Sequence, residues 1–93
     1  MIYIKNELIY EGRIIDITYK SNKIIKFVMA NEKEFTHKKI KVCCFNSELF
    51  PIIESNVMNV VTIKAEFSEN NYKDKNGKWH NDYTVACYEI EVE

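Results

Sequence analysis

Residues 68–83 read Ser-Glu-Asn-Asn-Tyr-Lys-Asp-Lys-Asn-Gly-Lys-Trp-His-Asn-Asp-Tyr, and they interleave Tyr72, Trp79 and Tyr83 with Lys73, Lys75 and Lys78. A polar segment offers aromatic rings little core to fill. Rings left in solvent can stack on unpaired bases, at roughly 1–3 kcal/mol per base, while ammonium groups between them neutralise phosphates. The same residues also allow a hairpin whose Trp79 folds back as a plug. A second run has period two: Lys39, Lys41, Cys43 and Phe45 share one face of an extended chain, with Lys26 from the preceding segment beside it. A Phe turned outward among lysines is a poor core residue and a good stacking platform.

Other chemistries find less support. His37 and His80 fall in segments that read as loops, with no Ser, Cys or Asp arranged near either as a nucleophile would be. Two isolated Gly cannot build a phosphate-cradling loop. Glu89, Glu91 and Glu93 alternate along one strand face and read as a solvated edge. Cys43 and Cys44 are neighbours on a strand, so their side chains diverge. Structural thiols are the plain reading, and a zinc site from Cys43, Cys87 and a His is the alternative. The expectation is a protein that is not an enzyme and has no cofactor and no metal.

The elements that must position these residues are mostly strands. Ile, Val, Tyr, Phe and Thr dominate the apolar positions. The pattern predicts strands over about 8–19, 24–30, 38–45, 57–67 and 83–92. In the second, Ile25, Phe27 and Met29 share one face; in the third, Ile40, Val42 and Cys44; in the fourth, Val61, Ile63, Ala65 and Phe67. Gly12 inside the first strand marks a bulge or bend. Residues 20–23 read as a turn, 31–37 as a loop, and 68–82 as a long polar loop or flexible hairpin turning at Asn76-Gly77. The one helix expected spans 46–55, capped by Asn46 or Ser47 and kept short by Pro51. Three strands, a short helix between strands 3 and 4, then two strands is the order of the OB-fold, an all-β, five-stranded Greek-key barrel. An open five-stranded sheet with a helix on one side is the alternative. The chain of 93 residues fits a single such domain over 1–93.

Composition bounds the class. Hydrophobic residues make up 46%, too many for a disordered chain, and no apolar run reaches the length of a membrane span. Three Cys suit a reducing cytoplasm better than a disulfide-stapled secreted fold. The net charge of −1 argues against nucleic acid until it is divided along the chain. Residues 13–45 carry +5 and 72–80 carry +2, while 1–12, 46–71 and 81–93 are acidic. Both basic segments fall where an OB-fold presents its ligand face, strands 2 and 3 and the loops beside them. Lys exceeds Arg twelve to one, as in proteins of AT-rich genomes.

The run Lys41-Val42-Cys43-Cys44-Phe45-Asn46, followed by Glu48-Leu49, resembles the third strand and helix entry of bacterial and phage single-stranded DNA-binding proteins. Residues 57–69 resemble their fourth strand, Tyr72-Lys73-Asp74-Lys75-Asn76-Gly77-Lys78 their fourth-to-fifth loop, and Leu8-Ile9-Tyr10-Glu11-Gly12-Arg13 their opening strand. The resemblance implies base stacking by Phe45 and Tyr72, and places Phe35 near a further aromatic of the family; Trp79 has no counterpart. Together with the lysines, the expected interface is Phe45, Tyr72, Trp79 and Phe35 on bases, with Lys26, Lys39, Lys41, Lys73, Lys75 and Lys78 on phosphates.

Housekeeping members of that family carry a Gly/Pro/Gln-rich tail with an acidic tip that recruits partners. Here the sequence ends at Glu93. The expectation is therefore a tailless phage- or mobile-element-like member. It would be a cytoplasmic homo-oligomer without membrane contact, protecting single-stranded DNA in replication or recombination. Replication or recombination proteins remain possible partners without an acidic recruiting tail. RNA is an alternative ligand, and an OB-fold protein-interaction module is the alternative function.

Overall fold

The computed structural model describes residues 6–33 and 36–93, with the side chains of 32–37 left aside. Phe35, one of the expected stacking residues, lies outside the described residues. Five strands and a short helical segment follow in the order β1 (Leu8–Lys20), β2 (Ile25–Lys33), β3 (Thr36–Cys44), a 3-10 turn (Ser47–Leu49), α1 (Phe50–Ser55), β4 (Val60–Lys73) and β5 (Trp79–Val92). The strands close into a barrel in the order β1-β2-β3-β5-β4. Closure hides strand edges that an all-β domain would otherwise expose. The expected five-stranded OB barrel is the fold observed.

β1 makes closure possible. Its first half pairs with β4, from Leu8 beside Ala65 to Arg13 beside Val60. Its second half pairs with β2, from Arg13 beside Ala30 to Lys20 beside Ile25, with register shifts after Ile14 and Ile17. Gly12 sits where the strand changes partner. A Cβ there would lie 2.6 Å from the Ala30 carbonyl oxygen, so only glycine lets the two backbones approach.

Alternation sorts the side chains as the sequence predicts in β2. Ile25, Phe27 and Met29 are buried, and they meet Cys44 and Val42 of β3 with Val61, Ile63 and Ala65 of β4. Phe50 and Ile53 of α1 complete this core. Pro51 sits in the first turn of the helix, and the Asn46 side-chain oxygen accepts the Glu48 amide at 3.1 Å to cap the turn before it. Met58, with φ of 74°, holds the left-handed bend between helix and β4. Its amide donates to the Ile14 carbonyl at 2.6 Å, and its carbonyl accepts from the Arg13 guanidinium. Among the described residues, no helix is long and apolar enough to cross a membrane.

Two expectations change and one alternative is decided. Residues 31–33 and 36–37 belong to strands, because β2 and β3 continue their pairing through Lys33 beside Thr36. Of the two readings of residues 68–82, the hairpin is the one observed: β4 and β5 stay paired out to Lys73 beside Trp79, leaving only Asp74–Lys78 as the turn. Phe67 follows Val61, Ile63 and Ala65 in period but is 46% exposed, because the strands have by then left the barrel.

Candidate nucleic-acid interface

β3 and β5 run parallel and pair at Cys43 and Ala86. On the amino-terminal side of that joint the two strands part. They leave an open groove of about 420 Å³ lined by Lys41, Val42 and Cys43 on one wall and residues 82–85 on the other. Lys26, Phe27, Val28 and Thr18 form its floor. The strand register explains the lysines. Lys26 pairs with Cys43, Val28 with Lys41 and Ala30 with Lys39, so one strand face carries Lys26, Lys41 and Lys39. Burial pushes the Cys43 thiol up, and the Lys26 charge pulls against that shift. Cys43 was expected outward with the lysines; it faces that way but is buried, and its Sγ reaches the Val85 carbonyl at 3.5 Å.

The β4–β5 ribbon rises beside this groove. Opposed residues on an antiparallel pair share a face, so Phe67, Glu69, Asn71 and Lys73 lie with Trp79, Asn81, Tyr83 and Val85. Ser68, Asn70 and Tyr72 lie with His80, Asp82 and Thr84 on the other face. The first face carries a stacked Phe67–Tyr83 pair, centroids 5.0 Å apart, and Lys73 Nζ 6.0 Å from the centre of the Trp79 ring. The second carries Tyr72 stacked on His80 at 5.1 Å and 14°. Trp79 is 67% exposed, Tyr83 59% and Tyr72 51%. Trp79 is therefore not a plug.

Asp74 organises the tip. Its Oδ1 accepts the backbone amides of Asn76 and Lys78, each at 2.9 Å, and its Oδ2 lies 2.8 Å from His80 Nε2. These bonds, the His80 contact first, hold the Asp74 carboxyl below the usual carboxylate range. Gly77, with φ of +80°, supplies the left-handed turn residue expected of Asn76-Gly77. Lys75 and Lys78 project from this tip in solvent.

Phe45 stands elsewhere. It follows the last residue of β3, is 62% exposed, and lines a second groove of about 320 Å³ with Asn46, Glu66, Ala86, Cys87 and Tyr88. That groove opens on the carboxy-terminal side of the Cys43–Ala86 joint, whereas the lysine groove opens on the other. The structure thus gathers Lys26 and Lys41 with Tyr83, sets Lys39 farther along the same strand face, puts Tyr72, Trp79, Lys73, Lys75 and Lys78 on the ribbon, and separates Phe45 from both. Cys43 lines the lysine groove and Cys87 the Phe45 groove, and His80 is engaged by Asp74. Among the described residues no group of three or more His, Cys, Asp or Glu is arranged to hold a metal ion.

Two aromatic residues escaped the sequence reading of the interface. Tyr19 is exposed, with Lys26 Nζ 5.7 Å from its ring centre, because β1 and β2 pair Tyr19 with Lys26. Nothing in the local sequence marks that long-range neighbour. Tyr83 was visible in the interleaved segment, but its place on the groove wall depends on how β5 parts from β3.

Charge is divided in space as well. The outer faces of β1, β4 and β5 set Thr62 between Glu11 and Glu91, and bring Lys64 opposite Glu89. Glu93 is held protonated to higher pH than an ordinary Glu, chiefly by the Glu11 charge. Lys64 and Glu89 stand 3.5 Å apart, a partial offset in a largely acidic sector.

No family model matches the chain, and no curated protein matches it in sequence. Solved structures do match in shape. A mitochondrial single-stranded DNA binding protein from S. cerevisiae, Rim1, superposes with a TM-score of 0.76 at 15% identity, covering 96% of each chain. Plasmodium falciparum SSB, solved in complex with ssDNA, superposes with a TM-score of 0.75 at 10% identity, covering 100% of this chain and 98% of that one. At such identity the likeness is one of fold: this chain has the barrel architecture found in those single-stranded DNA-binding proteins.

Proposed function

We propose that this protein is a non-catalytic, sequence-tolerant binder of single-stranded DNA that protects exposed strands during replication or recombination. The observation that carries this reading is the lysine groove walled by Tyr83 and continued by a ribbon of solvent-exposed rings. Lys26, Lys41 and Lys39 supply positive charge along the barrel. Tyr83, Trp79 and Tyr72 supply flat surfaces for successive bases, and Lys73, Lys75 and Lys78 supply counter-charge beside them. Stacking on aromatic faces and Lys–phosphate contacts depend little on base identity, which favours sequence tolerance. The acidic sector on the outer faces of β1, β4 and β5 would repel the phosphate backbone and confine it to the basic side. The fold likeness to proteins described as single-stranded DNA binders supports the same reading. Phe45, in its own groove, serves as a further stacking ring where the strand leaves the joint. Homo-oligomerisation extends the proposal on the sequence resemblance, and residence in a reducing cytoplasm extends it on the odd number of cysteines.

Trp79 fluorescence during titration with oligo-dT, at two salt concentrations, tests it. Binding should quench the emission. The logarithm of the affinity should fall with the logarithm of salt by about 0.7 per phosphate contacted. Replacing Lys26 and Lys41 by Gln should make that slope shallower by about one to two. No quenching and no mobility shift at low salt would sink the proposal in favour of a protein-interaction module. Competition with a matched RNA oligomer separates the two nucleic acids.

A further inference from the structure

The joint between β3 and β5 holds an unused pair of nucleophiles. Cys43 pairs with Ala86 in parallel register, so the next residues, Cys44 and Cys87, stand side by side. Strand alternation turns both to the inner face, and both belong to the core cluster. Neighbouring strands lie about 4.8 Å apart, within the roughly 4.4–6.8 Å between Cα atoms that a disulfide spans. Cys43, on the outer face, is turned away from them toward Val85.

From this juxtaposition we infer that Cys44 and Cys87 form an oxidisable dithiol site, converted by hydrogen peroxide to a disulfide that staples β3 to β5. Cys87 lines the Phe45 groove, which gives a small oxidant its approach, whereas Cys44 is fully buried. One sulfur of the pair, as thiolate, attacks one peroxide oxygen, the O–O bond breaks, and hydroxide leaves, giving a sulfenic acid. The second sulfur then attacks the first, the S–O bond breaks, and water leaves with the second thiol's proton. The hydroxide takes up the proton that the first thiol had released. Two thiols are oxidised, and one peroxide is reduced to two waters.

The cross-link would tie the two walls of the lysine groove at the point where they diverge. Lys41 and Tyr83 would then keep a fixed separation, and the joint could not part. The site is independent of the proposed DNA binding.

The experiment treats the full chain carrying Cys43→Ser with hydrogen peroxide, then maps peptides without reduction. The expected result is an intramolecular Cys44–Cys87 cross-link, reversed by dithiothreitol. The thermal midpoint should rise by roughly 10 °C in the oxidised form. Adding Cys44→Ser or Cys87→Ser to that chain should abolish both the cross-link and the rise in thermal midpoint. Retention of both thiols, or cross-linking between chains only, would overturn the inference.

Discussion

The two halves of the β4–β5 hairpin share one strand pair and one alternation but have opposite fates. In the barrel half, Val61, Ile63, Ala65 and Cys87 are buried among the other strands and the helix. In the ribbon half, the same face continues through Phe67, Tyr83 and Trp79, all substantially exposed. Period two decides which residues share a face. Whether that face is covered depends on what lies opposite. β1 stops pairing with β4 at Leu8 beside Ala65, and beyond it the Asn6 side chain brackets the Phe67 backbone, donating at 2.8 Å and accepting at 3.1 Å. An apolar face that its own fold leaves open is available to a ligand.

The contrast can be broken from the barrel side first. Ile63→Ala removes a fully buried side chain from a face closed on all sides. It should destabilise the protein by about 2–5 kcal/mol, read by urea denaturation. A loss below about 1 kcal/mol would mean the barrel half is as loosely covered as the ribbon.

Changes in the ribbon should have the opposite profile. Tyr83→Ala or Trp79→Ala should shift stability by no more than about 1 kcal/mol, because each ring is mostly in solvent. Each should weaken oligo-dT binding by about 1–3 kcal/mol. Anisotropy with a labelled oligomer checks the affinity for both variants. Equal losses of stability and affinity would show that these rings are structural.

The smallest effect belongs to the tip. Asp74 is depressed by its contacts with His80, Lys78 and Asn76, so its protonated form is disfavoured in the folded turn. Its contribution is present above the ordinary carboxylate range and is lost as pH falls through the lower folded value. The amides of Asn76 and Lys78 should lose protection from hydrogen exchange below that range while barrel amides keep theirs. Asp74→Asn should loosen these amides at neutral pH. Unchanged protection in both cases would remove Asp74 as the tip's organiser.

Much of this was legible locally. The inward sets of β2 and β3, the bend at Gly12, the cap at Asn46, the short Pro51 helix and the Asn76-Gly77 turn all follow from neighbours within a few residues. The extent of β4 and β5 was not, because Ser, Glu and Asn at 68–71 have poor strand propensity and are held extended by cross-strand pairing. The burial of Cys43 was hidden for a related reason. Its face is lysine-rich along β3, and only β5 crossing beside it covers the thiol. Phe45 and Lys41 are near neighbours in sequence, yet the β3–β5 joint assigns them to different grooves.

By itself, the sequence determined the element order, the faces of each strand and the concentration of positive charge in two segments, since these depend on residue type and spacing along the chain. Tertiary structure alone decided where β3 and β5 part, which rings have no core opposite them, that Tyr19 meets Lys26, and that Cys44 meets Cys87. Those are contacts between distant segments, set by barrel closure and register, and no local preference encodes them.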